Sequence, residues 1–542
     1  MTQRIQAQKT AETVCPTQEL DPCTSTQPQP PLRRSTRISN QPTWLQDYHC
    51  NQTTSDSSPP TITCFGSLHS CFVASLSNLQ EPRSYKQASQ SVDWKKAMQV
   101  ELDALHQNDT WDITPLPKDK KAIGCRWVYK LKLKSDGTID KHKARLVAKG
   151  YNQVEGIDYV DSFSSVAKAV TVRTLLAVTA SKHWTLHHID VNNAFLHGTL
   201  DEEIYMQPPD GYSVPEGHVC KLKRSLYGLK QASRQWNTEF TNKVETFGFL
   251  QSKHDHCLFT KTSPSGLLVL LVYVDDILIA GTSETCIQEV KIYLHNLFTI
   301  KDLGVAKYYL GLEIARSERG IVVTQSKYIC NLLHDAGVFY AKSATTPLPA
   351  GIKFSTEAGR VLPNPESYRR LIGRILYLGF TRADIAHAAQ QLSQFMQHPC
   401  QQHWDAALHL LRYLKGTPNK GLFFSAGTTT DLIAYCDADW ASCIDTRRSL
   451  TGFCIFLGSA LISWKTKKQA TVSRSTAEAE YRSMGSTTCE LIWIHGLLLD
   501  LQIPVQTPIP FFCDNQAALH ITANPVFHER TNHLEISTAT SC

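Results

Sequence analysis

The chain has 542 residues, 42% of them hydrophobic and 19% charged, with a formal net charge of +6. This length is enough for about three or four domains with cores of their own, and the small basic excess permits a polyanionic partner without requiring one. No apolar stretch approaches the roughly 18 residues of a membrane span, and the opening MTQRIQAQKT lacks a signal-peptide core. The expectation is therefore an intracellular protein, cytoplasmic or nuclear, neither membrane-bound nor secreted. The 17 cysteines show no CxxC pair, the pattern of reduced, mostly buried thiols.

Residues 1–80 are rich in Gln, Thr, Ser and Pro. Such a segment buries too little apolar surface to offset its ordering entropy, so it is predicted to be a disordered leader. Apolar residues Trp94, Ala97, Met98, Leu102 and Leu105 then fall at helical spacing, with Asp93 as the predicted N-cap. Two strands follow at 123–134 and 142–149, around the turn Ser135-Asp136-Gly137. Between positions 118 and 149 there are eleven Lys and Arg against three Asp. Lys130, Lys132 and Lys134 alternate with apolar residues and make one face of this hairpin basic. Charge this concentrated favours a phosphate-binding surface over a merely protected sheet edge.

A helix is predicted at 171–181, and WTLHHIDVNNAFLHG (184–198) carries a strand ending at Asp190. A long helix follows the turn in KRSLYGLKQAS. The stretch GLLVLLVYVDDILIAGT (266–282) reads as two buried apolar strands, with Asp275 and Asp276 at the tip of their hairpin. Strands and helices thus alternate around separated acids, an α+β pattern with a carboxylate-lined cleft. Carboxylates gathered from separate elements repel one another unless a cation screens them. Hard oxygen ligands suit Mg²⁺, with Mn²⁺ as a substitute, and two such ions serve phosphoryl transfer.

The order and wording of several segments go further than this chemistry. Tyr273-Val274-Asp275-Asp276 resembles the polymerase signature of reverse transcriptases. CRWVYKLK (125–132), HKARLVAKGYNQ (142–153), DVNNAFLHG (190–198), SLYGLKQASRQW (225–236) and YYLGLEI (308–314) resemble the Pol polyprotein of copia-type long-terminal-repeat retrotransposons. The likeness runs over residues 82–536. It implies a right-hand polymerase of fingers, palm and thumb followed by a ribonuclease H-like α/β domain. The fingers and palm would occupy 81–345, thumb or connection helices 346–425, and the ribonuclease H-like domain 426–542.

Carried over by position, Asp190, Asp275 and Asp276 resemble the metal-binding triad, with Asp275 the more central of the pair. Phe195 resembles the aromatic that excludes a 2′-hydroxyl, Arg145 the arginine on the triphosphate and Gln231 the glutamine beside the nucleotide. Lys130, Lys132 and Lys143 would contact nucleic acid, and 308–314 would hold the primer. In the last third, strands and helices place Asp437, Glu480 and Asp514 where ribonuclease H holds its own two ions. Glu478 and Asp439 are the residues most easily mistaken for these ligands; Glu480 is preferred because Glu480-Tyr-Arg-Ser483 resembles the family's Glu followed by a small residue three later.

The implied partners are an RNA template, a DNA primer, the RNA–DNA hybrid and dNTPs, with oligomeric state open. The family usually has proline where this chain has Ser165, Ser233, Ala383 and Ala470. It also runs on through a further strand and helix after 528–536, so the second domain is expected to be truncated and its activity doubtful. The resulting expectation is an RNA-directed DNA polymerase. The alternative is a catalytically inactive relic that only binds nucleic acid.

Overall fold

The computed structural model describes residues 81–133, 138–162, 164–356 and 359–523, all within one compact unit spanning 52–542. The predicted leader, Lys134 and the C-terminal residues from 524 onward lie outside the described residues.

The first helix is Val92–Gln107. Ser91 rather than Asp93 precedes it, and Asp93 lies in the first turn, where a carboxylate still complements the helix dipole. Strand β1 (Trp111–Pro115) follows, then β2 (Cys125–Leu133) and β3 (Ile139–Ala148), which pair as an antiparallel hairpin. Its register sets Val128 opposite Arg145, Lys130 opposite Lys143 and Lys132 opposite Lys141. Directly opposed residues share a face, so the cations gather on one side. The other side carries Trp127, Tyr129 and Leu146, buried against Trp94, Met98 and Leu105 of the first helix.

After the helix Ala169–Ser181 come β4 (Thr185–Val191), β5 (Thr199–Met206) and β6 (His218–Arg224). Strands β1, β6 and β5 form a three-stranded sheet. The helix Ala232–Thr246 leads to β7 (Leu250–Gln251), β8 (Leu258–Ser263), β9 (Gly266–Tyr273) and β10 (Asp276–Gly281). A helix, Glu284–Leu297, and β11 (Ile300–Val305) complete a six-stranded sheet of order β11-β4-β10-β9-β8-β7.

Both faces of this sheet are covered, which explains the unbroken apolar runs of β9 and β10. Leu268, Leu270, Val272, Ile277 and Ile279 pack with Trp236, Phe240, Ile287 and Leu294. The alternate residues Val269, Leu271, Leu278 and Ala280 pack with Val172, Leu175 and Leu176. Each residue's parity along its strand thus decides which helix it meets.

Strands β12 (Tyr308–Tyr309), β13 (Leu312–Ser317) and β14 (Gly320–Thr324) make an antiparallel sheet. Helices Ser326–Asp335, Pro365–Tyr377, Ala386–Ser393 and Gln401–Gly416 intervene before β15 (Leu422–Ser425) joins its edge. Strands β16 (Leu432–Asp439), β17 (Leu450–Leu457) and β18 (Ala460–Lys468) are antiparallel, and the 25-residue helix Thr476–Asp500 crosses them. Strand β19 (Phe511–Phe512) then adds parallel to β16, before the helix Gln516–Ala523.

One apolar cluster contains Val172 and Leu278, Ile314 and Phe424, and also Ile455, Ile494 and Leu497. The last sheet is therefore bound into the same core as the six-stranded one. Trp493 Nε1 donates to the His254 carbonyl at 2.7 Å, and Ser252 Oγ donates to Asp500 at 2.6 Å. Arg173 is buried at this junction, its guanidinium 3.8 Å from the Trp464 ring centre and donating to the Phe380 carbonyl.

Among the described residues, ten cysteines are free thiols. No described helix is long and apolar enough to cross a membrane.

Candidate active site and second acidic centre

The tip of the β9–β10 hairpin is a two-residue turn, Val274-Asp275, because Tyr273 pairs directly with Asp276. Val274 takes φ 57°, a costly conformation for a β-branched residue. Trp236 Nε1 donates to the Val274 carbonyl at 2.8 Å, and the Val191 amide donates to the Asp275 carbonyl at 2.8 Å. These bonds pin the turn against β4. Across the strands Asp276 stands directly opposite Asp190. Three acids from two elements therefore lie at the same end of the sheet.

The electrostatics follow from that meeting. Burial holds the Asp275 carboxyl above the ordinary carboxylate range; Asp276 and Asp190 add to the rise and Arg145 offsets it. Lys143, on the basic hairpin, is held below the usual ammonium range, first by burial and then by Arg145 and Lys132. Glu101 and Asp190 act the other way on it. The basic face of β2–β3 is thus close enough to feel the acids.

Arg145 lies 4.2 Å over the Tyr227 ring centre, and its buried Nε has no hydrogen-bond partner. Phe195, half-buried in the short 3-10 helix Ala194–His197, packs edge-on against the same Tyr227 ring at 5.1 Å. Lys132 is exposed, as is Lys130, which pairs with Glu81 at 3.4 Å.

Gln231 departs from expectation. It is 0% exposed, accepts from Gln153 Nε2, and donates to the Asp158 carbonyl and Glu202. An amide engaged on all these sides has no free donor for a nucleotide; it ties the loop after β3 to the start of the helix Ala232–Thr246. Two contributors were not singled out from the sequence. One is Tyr227, within the quoted SLYGLK motif. The other is His188, whose Nε2 lies 2.9 Å from Asp276.

The second centre forms where β16, the long helix and the end of β19 meet. Glu480, 3% exposed, accepts from the Ala438 amide at 3.1 Å through Oε1. Ligand atoms of Glu480, Cys513 and Asp514 all lie within 4.8 Å of one another. Asp437 is exposed on β16 and acts on Glu480 electrostatically. Ser483 explains the small residue after Glu480. It is 0% exposed and donates to the carbonyls of Asp437 and Gly452, so the helix can lie close to the strands. Glu478 is occupied elsewhere, paired with Arg482 at 3.0 Å. Cys513 was not anticipated.

The donor sets differ in character. Asp190, Asp275 and Asp276 offer only carboxylate oxygens, hard donors of the kind that suit a divalent cation, but their ligand atoms are not gathered within 4.8 Å of one another as those of the second centre are. The second set brings a softer thiol, Cys513, beside the carboxylates of Glu480 and Asp514, a donor that hard cations do not favour.

Burial, with Asp437 and Asp514 adding, pushes the Glu480 carboxyl up to about 7 from its ordinary 4.5. Below the ordinary value both folded and unfolded chains are protonated there, and Glu480 costs nothing. As pH rises towards 7, the unfolded chain releases this proton while the folded one keeps it, so stability falls; above 7 the penalty is complete. Glu480→Gln is expected to stabilise the metal-free protein at pH 8 by about 1–3 kcal/mol, the gain vanishing near pH 4.5. Thermal melts at the two pH values measure it.

Residues 108–350 match the family described as reverse transcriptase (RNA-dependent DNA polymerase). Over 465 residues the chain is 43% identical to the retrovirus-related Pol polyprotein from transposon RE1 of Arabidopsis thaliana, covering 85% of this chain and 32% of that protein. The corresponding polyprotein from transposon TNT 1-94 of Nicotiana tabacum is 38% identical over 478 residues, covering 85% and 36%. A putative transposon Ty5-1 protein of Saccharomyces cerevisiae is 32% identical over 308 residues, 56% of this chain and 100% of that one. Among solved structures, telomerase from Candida albicans overlaps 63% of this chain and 68% of its own at TM-score 0.25 and 9% identity, too slight a likeness to inform this one.

The mixed α/β core with acids at one sheet end thus carries a reverse transcriptase domain. The chain belongs to the copia-type retrotransposon Pol polyprotein family. It spans about a third of the length of the curated polyproteins it matches.

Proposed function

We propose that the chain is an RNA-directed DNA polymerase that extends a DNA primer with dNTPs on an RNA or DNA template. The observation that carries this reading is the cross-strand pairing of Asp190 with Asp276, with Asp275 at the adjoining turn and a basic hairpin nearby. In this reading the six-stranded sheet is the palm and β2–β3 the fingers. The helices between 346 and 425 belong to the thumb or connection.

Asp190 and Asp275, with Asp276 beside them, would hold two Mg²⁺ ions, which when bound activate the primer hydroxyl and stabilise the leaving pyrophosphate oxygen. The protein's own part is positioning. Arg145, steadied on Tyr227 with its Nε unspent, faces the triphosphate. Phe195, locked by the same ring, forms the floor under the sugar and leaves no room for a 2′-hydroxyl. The β12–β13 hairpin holds the primer, its Leu310 carbonyl accepting from the Tyr377 hydroxyl.

The sheet β16–β19 with its crossing helix is read as a ribonuclease H-like domain. Asp437, Glu480 and Asp514 would hold the ions that cut the RNA strand of a hybrid.

Lys130, Lys132 and Lys143 contribute affinity for the nucleic-acid backbone. Lys132→Gln is expected to weaken hybrid binding and to flatten the slope of log affinity against log salt by about 1. Fluorescence anisotropy across a salt series checks this, and an unchanged slope removes Lys132 from the interface. Primer extension by the purified chain tests the polymerase reading itself. Salt-sensitive hybrid binding without extension by a folded chain would leave a noncatalytic nucleic-acid-binding protein.

A further inference from the structure

We propose that His188 is a positioning residue for Asp276, so that the two adjacent acids divide their work. Asp275 faces the reactants, while Asp276 is held from behind and fixes the hairpin tip. The inference rests on the polymerase reading of this site.

The geometry begins with register. Asp276 stands opposite Asp190, and Leu278 opposite His188, so His188 and Asp276 are diagonal neighbours on one face of the β4–β10 pair. Their side chains meet at 2.9 Å between His188 Nε2 and Asp276 Oδ1. The imidazole is 9% exposed and the Asp276 side chain 32% exposed, so the contact is largely shielded from water. An orientation imposed there is not easily lost to solvent competition.

The ring is fixed in turn. It packs edge-on against Tyr309 at 5.7 Å and 87°, and Tyr309, on β12, is 1% exposed. His188 therefore connects Asp276 to the hairpin read as the primer support. Asp275 is different: among the described residues no salt bridge reaches its carboxylate. An acid with one oxygen committed to an imidazole and an acid held only by a backbone amide are not equivalent ligands. Outer partners of this kind orient metal-binding groups, and their loss typically costs about 10–100-fold in affinity or activity.

A double-mutant cycle on the full chain tests this, using His188→Ala and Asp276→Asn, with His188→Gln as the variant that keeps an N–H donor. Two readings are taken: kcat and primer KM in extension, and the Mn²⁺ dissociation constant by calorimetry without primer. Expected is a fall in kcat of about 10–100-fold for His188→Ala, with primer KM little changed. His188→Gln should recover most of it, and the double variant should be no worse than the poorer single.

Additive losses in both readings would overturn the proposal, as would wild-type kcat and Mn²⁺ affinity in His188→Ala. If the wild-type chain extends no primer, the polymerase reading fails on its own. The calorimetric cycle then decides the role of His188, non-additivity supporting it and additivity refuting it. Circular dichroism of each variant separates a lost fold from a lost contact.

Discussion

Asp275→Asn is expected to abolish primer extension, by about 10³-fold or more, without weakening the metal-free fold. The side chain keeps its size and loses a charge that burial and the neighbouring Asp276 and Asp190 disfavour and Arg145 only partly offsets. Losing one hard ligand from a metal-dependent phosphoryl-transfer site removes several kcal/mol of transition-state stabilisation, which is a factor of this order.

Stability should move the other way. Burial, together with Asp276 and Asp190, raises the Asp275 carboxyl above its ordinary range. A raised carboxyl costs nothing below its unfolded value; the cost grows as pH rises from the unfolded to the folded value and is complete above it. At neutral pH in a chelator, the asparagine variant should therefore melt at or above the wild-type temperature. Added Mg²⁺ should raise the wild-type melting temperature more than the variant's, since ligand binding stabilises only the state that binds. Single-turnover extension and melts with and without Mg²⁺ measure both halves. A variant that loses activity because it has unfolded would refute the interpretation.

Gly228→Ala is expected to cost about 2–4 kcal/mol of stability and to raise the dNTP KM together with it. Gly228 has φ +93°, and an added Cβ would run into the Ala148 carbonyl oxygen and sit 2.7 Å from Val147 Cγ1. Both neighbours belong to β3, so neither can yield without moving the strand that carries Arg145. The same loop is laid on β3 by the Ala148 amide, which donates to the Tyr227 carbonyl at 2.7 Å. Displacing Gly228 therefore shifts Tyr227, the ring on which both Arg145 and Phe195 rest. Gly217→Ala is the control: φ is +75° but no atom lies within 4 Å of its added Cβ. It should cost only about 1 kcal/mol and leave KM alone. Denaturant titration and steady-state kinetics on the two variants separate backbone strain from loop displacement.

These cases mark where local pattern informs and where it stops. The alternation Lys130, Lys132 against Trp127, Tyr129 was legible because a strand's period is two and its inner face was already apolar. The β9–β10 hairpin was legible because its apolar runs stop at a pair of acids that no core tolerates alone. The small residue three after Glu480 was legible as a feature, and the close approach of helix and strand at Ser483 is its physical reason.

Contacts set by register between distant strands were not legible. His188 meets Asp276 only because β4 and β10 pair with one alignment out of many. Gln231 carried the right letter in the right motif, yet its burial depends on Gln153 and Glu202, which come from other loops. Cys513 joins the second centre because β19 lies parallel to β16, a pairing with no local signature. The common core uniting the two acidic sheets is likewise a property of assembly, visible in Trp493 reaching His254.

The most direct test is template-directed synthesis by the chain itself. The purified protein is given an RNA template, an annealed DNA primer, dNTPs and Mg²⁺, and the products are resolved on a sequencing gel. A ladder of extended primers that needs Mg²⁺, matches the template and disappears with Asp275→Asn is the expected result. A folded chain that binds the primer–template in a salt-dependent way but adds no nucleotide would contradict the polymerase assignment.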